Sequence, residues 1–246
     1  MISQSLENGV RILRMDRPDK KNALTGDMYT ALAEAFETAN DDPEVRCQLL
    51  CGHPGAFTGG NDIGDFLSYA GKVEMGKTPV IRFLRALARN EKPLVAAVDG
   101  VAIGIGTTLL MHCDMVFAAP NAVIRSPFVD LGLVPEAGSS LLGPMIMGHA
   151  RAFELLCLGR TFSAEKALQA GLVNEVVEDA EAAARQCAEE IAAKPPEAMR
   201  LSRKLLRGNT QHLEDRVEEE AAIFASRLTA PETIAAFQAF MMKKSK

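Results

Sequence analysis

The run Leu94-Val95-Ala96-Ala97-Val98 is apolar at every position and stops at Asp99-Gly100. Five consecutive apolar residues leave no face for water, so a strand made of them lies in the middle of a sheet with cover on both sides. Asp-Gly supplies the turn that ends it. Signals before and after it alternate in type. Val10 to Met15 partly alternates apolar and polar residues, as a half-buried strand does, and Asp16-Arg17-Pro18-Asp19 turns the chain. Thr25 is a good N-cap, with Asp27 in the first turn, for a helix running to about Asn40. Its apolar face is Met28, Leu32, Ala35, Phe36 and Ala39. Val45 to Leu50 and Met115 to Ala118 read as further strands, Val123-Ile124 as a continuation of the sheet, and Thr107 to about Cys113 as a short buried helix. A helix from His149 to Leu158 ends at Gly159, and Ser163 caps another that ends near Gly171. Val173 to Val177 is a last short strand. Strands alternating with helices give an α/β core.

From Ala180 onward strand signals vanish, and helices are expected at 180–193, 196–207, 213–228 and 231–242, the first two separated at Pro195-Pro196. The expected division is a core over 1–190 and a helical region over 191–246. Tyr69 to Thr78, with Gly71 and Gly76, is the best candidate for a mobile loop.

With 246 residues, the chain can bury a sizeable core. A net charge of −5 argues against nucleic acid or an anionic membrane surface as the main partner. No apolar run is long enough to span a bilayer, and Met1 to Val10 lacks the regions of a signal peptide. The last residues are not a Ser-Lys-Leu peroxisomal signal, so cytoplasm is the expected location. Five cysteines, an odd count set in apolar or helical stretches, read as reduced thiols. Cys47, Cys51 and His53 lack a fourth ligand nearby, which argues against a metal site.

Chemistry concentrates in three places. Phe57-Thr58-Gly59-Gly60-Asn61-Asp62 and Gly104-Ile105-Gly106 are glycine-bent segments that can aim backbone N–H groups at one carbonyl, although most glycine pairs simply serve loops. Val134-Pro135-Glu136-Ala137-Gly138 supplies a carboxylate, which taken alone reads as a solvated turn residue. Two N–H donors at a developing oxyanion and one carboxylate beside it suit enolate chemistry on a thioester.

These segments resemble the crotonase, or enoyl-CoA hydratase/isomerase, superfamily. Arg17-Pro18-Asp19-Lys20-Lys21-Asn22-Ala23-Leu24 is similar to its coenzyme A-contacting segment, and Ala56 to Ile63 and Val98 to Gly106 to its two oxyanion segments. Leu131-Gly132-Leu133-Val134-Pro135 and Ala167 to Val173 are also typical of it. The resemblance implies a spiral of ββα units with a C-terminal helical region, assembled as a trimer or a dimer of trimers through residues 191–246. It implies an acyl-CoA thioester substrate, with coenzyme A part of that substrate and no separate cofactor. It places the oxyanion donors at the N–H groups of Asn61 and Ile105. Lys20, Ala23, Leu24, Thr58, Gly59, Gly60, Asp62, Ile63, Gly104, Gly106, Thr108 and Phe128 become the expected substrate-binding residues. Arg203 and Lys204 are weaker candidates for phosphate contacts.

The chain departs from the hydratases at the two positions that carry their glutamates, which here are Thr108 and Phe128. Glu136 remains, at the place where the peroxisomal-type Δ3,Δ2-enoyl-CoA isomerases have a glutamate. The leading expectation is a 3-enoyl to 2-enoyl isomerase in which Glu136, buried in an apolar pocket, shuttles one proton. A hydratase-like or other single-acid reaction and a non-catalytic acyl-CoA-binding protein stay open. Asp62 reads as a cap or loop brace, Asp130 and Asp65 as peripheral structural acids, Phe128 as pocket or core, and Ser139-Ser140 as a helix N-cap. The four histidines are scattered and suggest no role.

Overall fold

A computed structural model describes residues 1–64 and 75–244. Asp65 and most of the Tyr69 to Thr78 segment lie outside the described residues; its last part forms a short turn of 3-10 helix, Met75–Lys77, with Thr78 capping the helix that follows.

The chain repeats one move. A strand enters a six-stranded sheet, the next strand enters a four-stranded sheet, and a helix or helical turn returns the chain to the first. After a hairpin of β1 (Ile2–Glu7) and β2 (Val10–Met15), the large sheet takes β3 (Cys47–Cys51), β5 (Leu94–Val98) and β7 (Met115–Ala118), all parallel. The small sheet takes β4 (Ala56–Thr58), β6 (Val101–Ile103) and β8 (Val123–Arg125), again parallel. Two-residue strands close the sheets: β9 (Phe162–Ser163) beside β8 and β10 (Glu175–Val176) beside β7. This is the expected spiral of ββα units. Val123-Ile124 does not continue the sheet of Met115 to Ala118; it crosses to the smaller sheet, because Pro120-Asn121 redirects the chain.

The all-apolar strand β5 is central, paired with β3 and β7, and completely buried. One sheet face meets the main core, which includes Tyr29, Leu32 and Phe36 of α1 (Gly26–Asp41) and Phe83, Leu84 and Leu87 of α2 (Pro79–Arg89). Val10, Ile12, Cys47, Leu49, Val95 and Phe117 point to the other face, where Ala180, Ala184, Ala188 and Ala192 of α6 (Ala180–Ala193) cover them. Four alanines at helical spacing let that helix lie close on the sheet. The first helix of the C-terminal series is therefore a layer of the core.

Two elements carry little signal in the sequence. Strand β1 is exposed at almost every residue, so no apolar alternation marks it; its signal is Asn8-Gly9, both with positive φ, the turn chemistry of a tight hairpin. Helix α2 carries a Thr78 cap and Pro79 in its first turn, with Arg82 and Arg85 directed outward.

Between α2 and α6 in chain order lie α3 (Ile105–Thr108), α4 (Ser139–Leu156) and α5 (Ala164–Gln169). The expected helix over 149–158 is the second half of α4; its first half begins ten residues earlier, and Gly148 bends the two apart with φ 73° and ψ 158°. Then follow α7 (Pro196–Arg207), α8 (Thr210–Leu228) and α9 (Pro231–Lys244). Arg203 of α7 is 7% exposed and bonds Asp114 and the Asn90 carbonyl, to which Arg207 also donates. Arg203 is thus a structural clamp, which removes it as a phosphate contact. No described helix is long and apolar enough to cross a membrane.

Gly55 and Gly100 give a clean test of the tight passage between the sheets. Both have positive φ, but a Cβ on Gly100 would stand 2.0 Å from the Gly55 carbonyl oxygen, whereas one on Gly55 meets nothing within 4 Å. Gly55→Ala should cost about 1 kcal/mol and Gly100→Ala roughly 3 kcal/mol or more in urea unfolding, since only the second adds a backbone clash to the left-handed penalty.

Candidate active site

The small sheet decides where the site forms. Its strands β4, β6 and β8 run parallel, so the segments that follow them, Gly59 to Asn61, Gly104-Ile105 and Ser126 to Phe128, leave from one edge. The first two touch. A Cβ on Gly60 would stand 2.7 Å from the Ile103 carbonyl oxygen, and one on Gly106 would stand 2.5 Å from Cγ2 of Thr58. Gly60 (φ 88°) and Gly104 (φ 58°) also hold the left-handed conformations that bend the two segments.

The segment Arg17 to Leu24 is stitched along the first of these. Buried Asn22 donates to the carbonyls of Ala56 and Phe57, and its own carbonyl accepts from the Thr58 hydroxyl at 2.7 Å. The Gly60 amide donates to the Thr58 hydroxyl, and the Gly59 amide to the Lys21 carbonyl. Arg17 bonds the Ala23 carbonyl and forms an ion pair with Asp62 at 2.7 Å, so Asp62 braces the loop. Leu24 is buried and its amide donates to the Gly60 carbonyl, while the Asp62 amide donates to the Leu24 carbonyl. That bridge turns the Asn61 N–H away from residue 24, and among the described residues it has no acceptor. The same is true of the Ile105 N–H, the first of α3, where helix geometry leaves amides unpaired. The Tyr29 hydroxyl donates to the Asn61 side-chain oxygen at 2.6 Å and fixes that residue from below, a contact nothing in the sequence signals.

Glu136 is 8% exposed, and its carboxyl accepts a 2.5 Å hydrogen bond from the Thr108 hydroxyl. Thr108 closes the turn that Ile105 opens, and its hydroxyl also lies 3.4 Å from the Ile105 carbonyl oxygen. The acid is thus one hydroxyl away from the second glycine segment. Burial pushes the Glu136 carboxyl up to about 8; the Thr108 bond opposes this, and the nearby Glu220 carboxylate adds to it.

The turn carrying Glu136 is strained and held from three sides. Ala137 has φ 62°, a left-handed conformation worth about 1–2 kcal/mol of strain for a residue with a Cβ. Its carbonyl accepts from buried His112 at 2.7 Å. Burial pushes the His112 imidazole down to about 3, so it is neutral, with the proton on Nε2. The two oxygens of Glu220, 5% exposed on α8, accept from the Gly138 amide at 2.6 Å and the Ser140 amide at 2.9 Å. Ser139-Ser140 is therefore not the cap of α4: Gly138 holds the N-cap position without a side-chain bond, and a distant carboxylate serves instead. The sequence alone assigns no role to His112 or Glu220, because contacts 25 and 82 residues away leave no local pattern.

The remaining expected residues divide. Ala23 and Ile63 are half-buried at the stitched loop, and Lys20 lies exposed on the turn of Pro18–Lys20. Phe128 is a core residue whose carbonyl holds the turn Val129–Leu131. Asp130 pairs with Arg125, in keeping with a structural role. His53 pairs with Asp16, Cys47 and Cys51 face the α6 layer, and no described group of three or more His, Cys, Asp or Glu residues is placed to hold a metal ion.

Comparison with known proteins bears on the family and the fold. The chain matches the family model described as enoyl-CoA hydratase/isomerase over residues 5–246. Enoyl-CoA delta isomerase 2 of Rattus norvegicus is 35% identical over 98% of this chain, which spans only 63% of that protein's length. The 1,2-epoxyphenylacetyl-CoA isomerase of Escherichia coli K12 is 37% identical, over 79% of this chain and 77% of its own. Among solved structures, Pseudomonas aeruginosa OdaA superposes with a TM-score of 0.93 at 46% identity, covering 98% of both chains. An enoyl-CoA hydratase/isomerase from Pseudoalteromonas atlantica T6c gives 0.92 at 42% identity, covering 98% of this chain and 97% of its own.

The raised Glu136 carboxyl makes stability depend on pH with a definite sign. Between the ordinary value of 4.5 and about 8, the folded chain keeps a proton that the unfolded chain has lost. This stabilisation is complete below the unfolded value and disappears as pH rises through the folded one. Glu136→Gln cannot ionise, so melting curves should show the variant gaining on the parent from about pH 5 to about pH 9, by a few kcal/mol at most.

Proposed function

The chain belongs to the enoyl-CoA hydratase/isomerase family, and on that premise we propose that it is an enzyme moving the double bond of a 3-enoyl-CoA to the 2-position. The observation that carries this reading is the buried carboxyl of Glu136, bonded to Thr108 in the same turn that presents the Ile105 amide. The two positions that carry the hydratase acids are held here by Thr108 and by Phe128 in the core, so neither supplies a carboxylate.

In the proposed reaction the thioester oxygen accepts from the Asn61 and Ile105 amides. Ionised Glu136 takes a proton from C2, and the electron pair forms a dienolate whose charge those two amides stabilise, at roughly 3 kcal/mol or more each. The protonated carboxyl then returns the proton to C4. The double bond between C3 and C4 becomes one between C2 and C3, and the carboxylate is regenerated. A carboxyl poised near pH 8 serves both halves, because its ionised and protonated forms are close in free energy at the working pH. Coenzyme A enters as part of the substrate and no separate cofactor takes part.

Lys20, Ala23 and Leu24, on the strap beside the first oxyanion segment, would meet the coenzyme; Thr58, Gly59, Gly60, Asp62, Ile63, Gly104 and Gly106 would shape the backbone around the acyl group. The assembly is proposed as a trimer or dimer of trimers to which residues 191–246 contribute; Leu201, Leu205 and Leu206 of α7 are exposed apolar side chains suited to that burial.

A second reading, a different single-acid isomerisation of an acyl-CoA, draws on the relative named for 1,2-epoxyphenylacetyl-CoA at 37% identity. Parallel assays of 2-enoyl, 3-enoyl and epoxide thioesters separate the readings. Conversion of a 3-enoyl thioester alone supports the isomerase; water addition to a 2-enoyl thioester, or binding without turnover, overturns it.

Two variants test the role of the acid. Glu136→Gln should lower turnover of the 3-enoyl thioester at least about tenfold while leaving thioester affinity unchanged in calorimetry. In the parent, kcat/KM should rise with pH through about 8, as Glu136 ionises. Thr108→Val removes the hydrogen bond that favours the ionised form, so this limb should move to higher pH.

A further inference from the structure

We propose that Glu220 is a positioning residue for Glu136, its two oxygens clamping the Gly138 and Ser140 amides so that the strained turn keeps the catalytic carboxyl aimed at Thr108. The inference deepens the proton-shuttle reading and rests on it for its kinetic readout. Three observations carry it. Glu220 is nearly inaccessible to water, yet both of its oxygens are used on backbone amides, at 2.6 and 2.9 Å. Those amides lie two and four residues after Glu136 and include the N-cap residue of α4, whose own side chain offers no cap. The residue between, Ala137, occupies a left-handed conformation that it would leave if unrestrained.

A buried carboxylate is a costly way to cap a helix when Ser, Asp or Asn at the N-cap position would do it locally. The cost brings reach: Glu220 holds the turn from a different helix, so the turn cannot relax without giving up hydrogen bonds to α8. The charged and titratable groups facing the turn are few. Neutral His112 approaches from the short helix Leu109–His112, and Glu220 and Arg216 approach from α8. Arg216 donates to the Ser140 hydroxyl and lowers the Glu220 carboxyl, while burial, the larger effect, raises it. The Glu220 charge in turn disfavours ionisation of Glu136. Removing it should let Glu136 ionise at lower pH, which a purely structural cap would not do.

The test compares the parent protein, Glu136→Gln and Glu220→Gln. The infrared band of the protonated Glu136 carboxyl, identified by its loss in Glu136→Gln, is titrated alongside steady-state kinetics on the 3-enoyl thioester. Glu220→Gln should move the band's midpoint to lower pH and lower kcat by about tenfold, with KM changing less than about threefold. A midpoint or a kcat that stays at the parent value overturns the proposal: the first leaves only a structural cap, the second only a through-space charge. Should Glu220→Gln fail to fold, Glu220→Asp, still charged but one methylene too short to reach both amides, takes its place: a kcat lowered by about tenfold supports the clamp, and a kcat at the parent value overturns it. Full activity in Glu136→Gln would instead defeat the proton-shuttle reading, and the positioning role that rests on it, whatever Glu220→Gln does.

Discussion

Parallel pairing of β4, β6 and β8 is the constraint on which the rest of the site depends. Parallel strands need a crossover between them, and here each crossover deposits one strand in the larger sheet before the chain returns. Every return then ends at the same edge, which is why segments more than forty residues apart lie against each other. The glycines follow from this closeness. Gly60 and Gly106 have neighbours within a Cβ radius, and any side chain there would push the two amide-bearing segments apart.

Electrostatics at the site is dominated by what is withheld. Glu136 meets a hydroxyl, a neutral imidazole holds the peptide beside it, and the next carboxylate repels it. An arginine in that position would hold the acid ionised; Arg17 instead pairs with Asp62 at the loop nearby. The two acids therefore differ through their surroundings. One is paired and braces a loop, and the other is buried without a counter-charge and stays near the point of exchange between its two forms.

Much of this is legible in the amino-acid sequence. The all-apolar run Leu94 to Val98 does lie at the sheet centre, Thr25 and Ser163 do cap their helices, and the glycine segments do adjoin. What the sequence leaves unread shares one physical cause. Strand β1 is exposed and carries no pattern, Val123-Ile124 gives no sign of which sheet it joins, and the partners of the Glu136 turn come from other elements. Local propensity reports on a residue's own turn of chain. It is silent on a carboxylate that caps a helix from a different helix, and it assigns the cap wrongly to Ser139-Ser140 because those residues are the usual local solution.

The clamp from Arg203 to Asp114 and Asn90 bears on the order of events as the chain emerges during synthesis. Its arms bridge 89 and 113 residues and end at the start of the central strand, where Asp114 also accepts the Leu94 amide. A nascent chain that has formed both sheets still lacks the guanidinium that neutralises this corner, and the long closure that supplies it is intrinsically slow. The sheets can assemble as they are made, but their innermost strand is locked only once the chain has been made through α7.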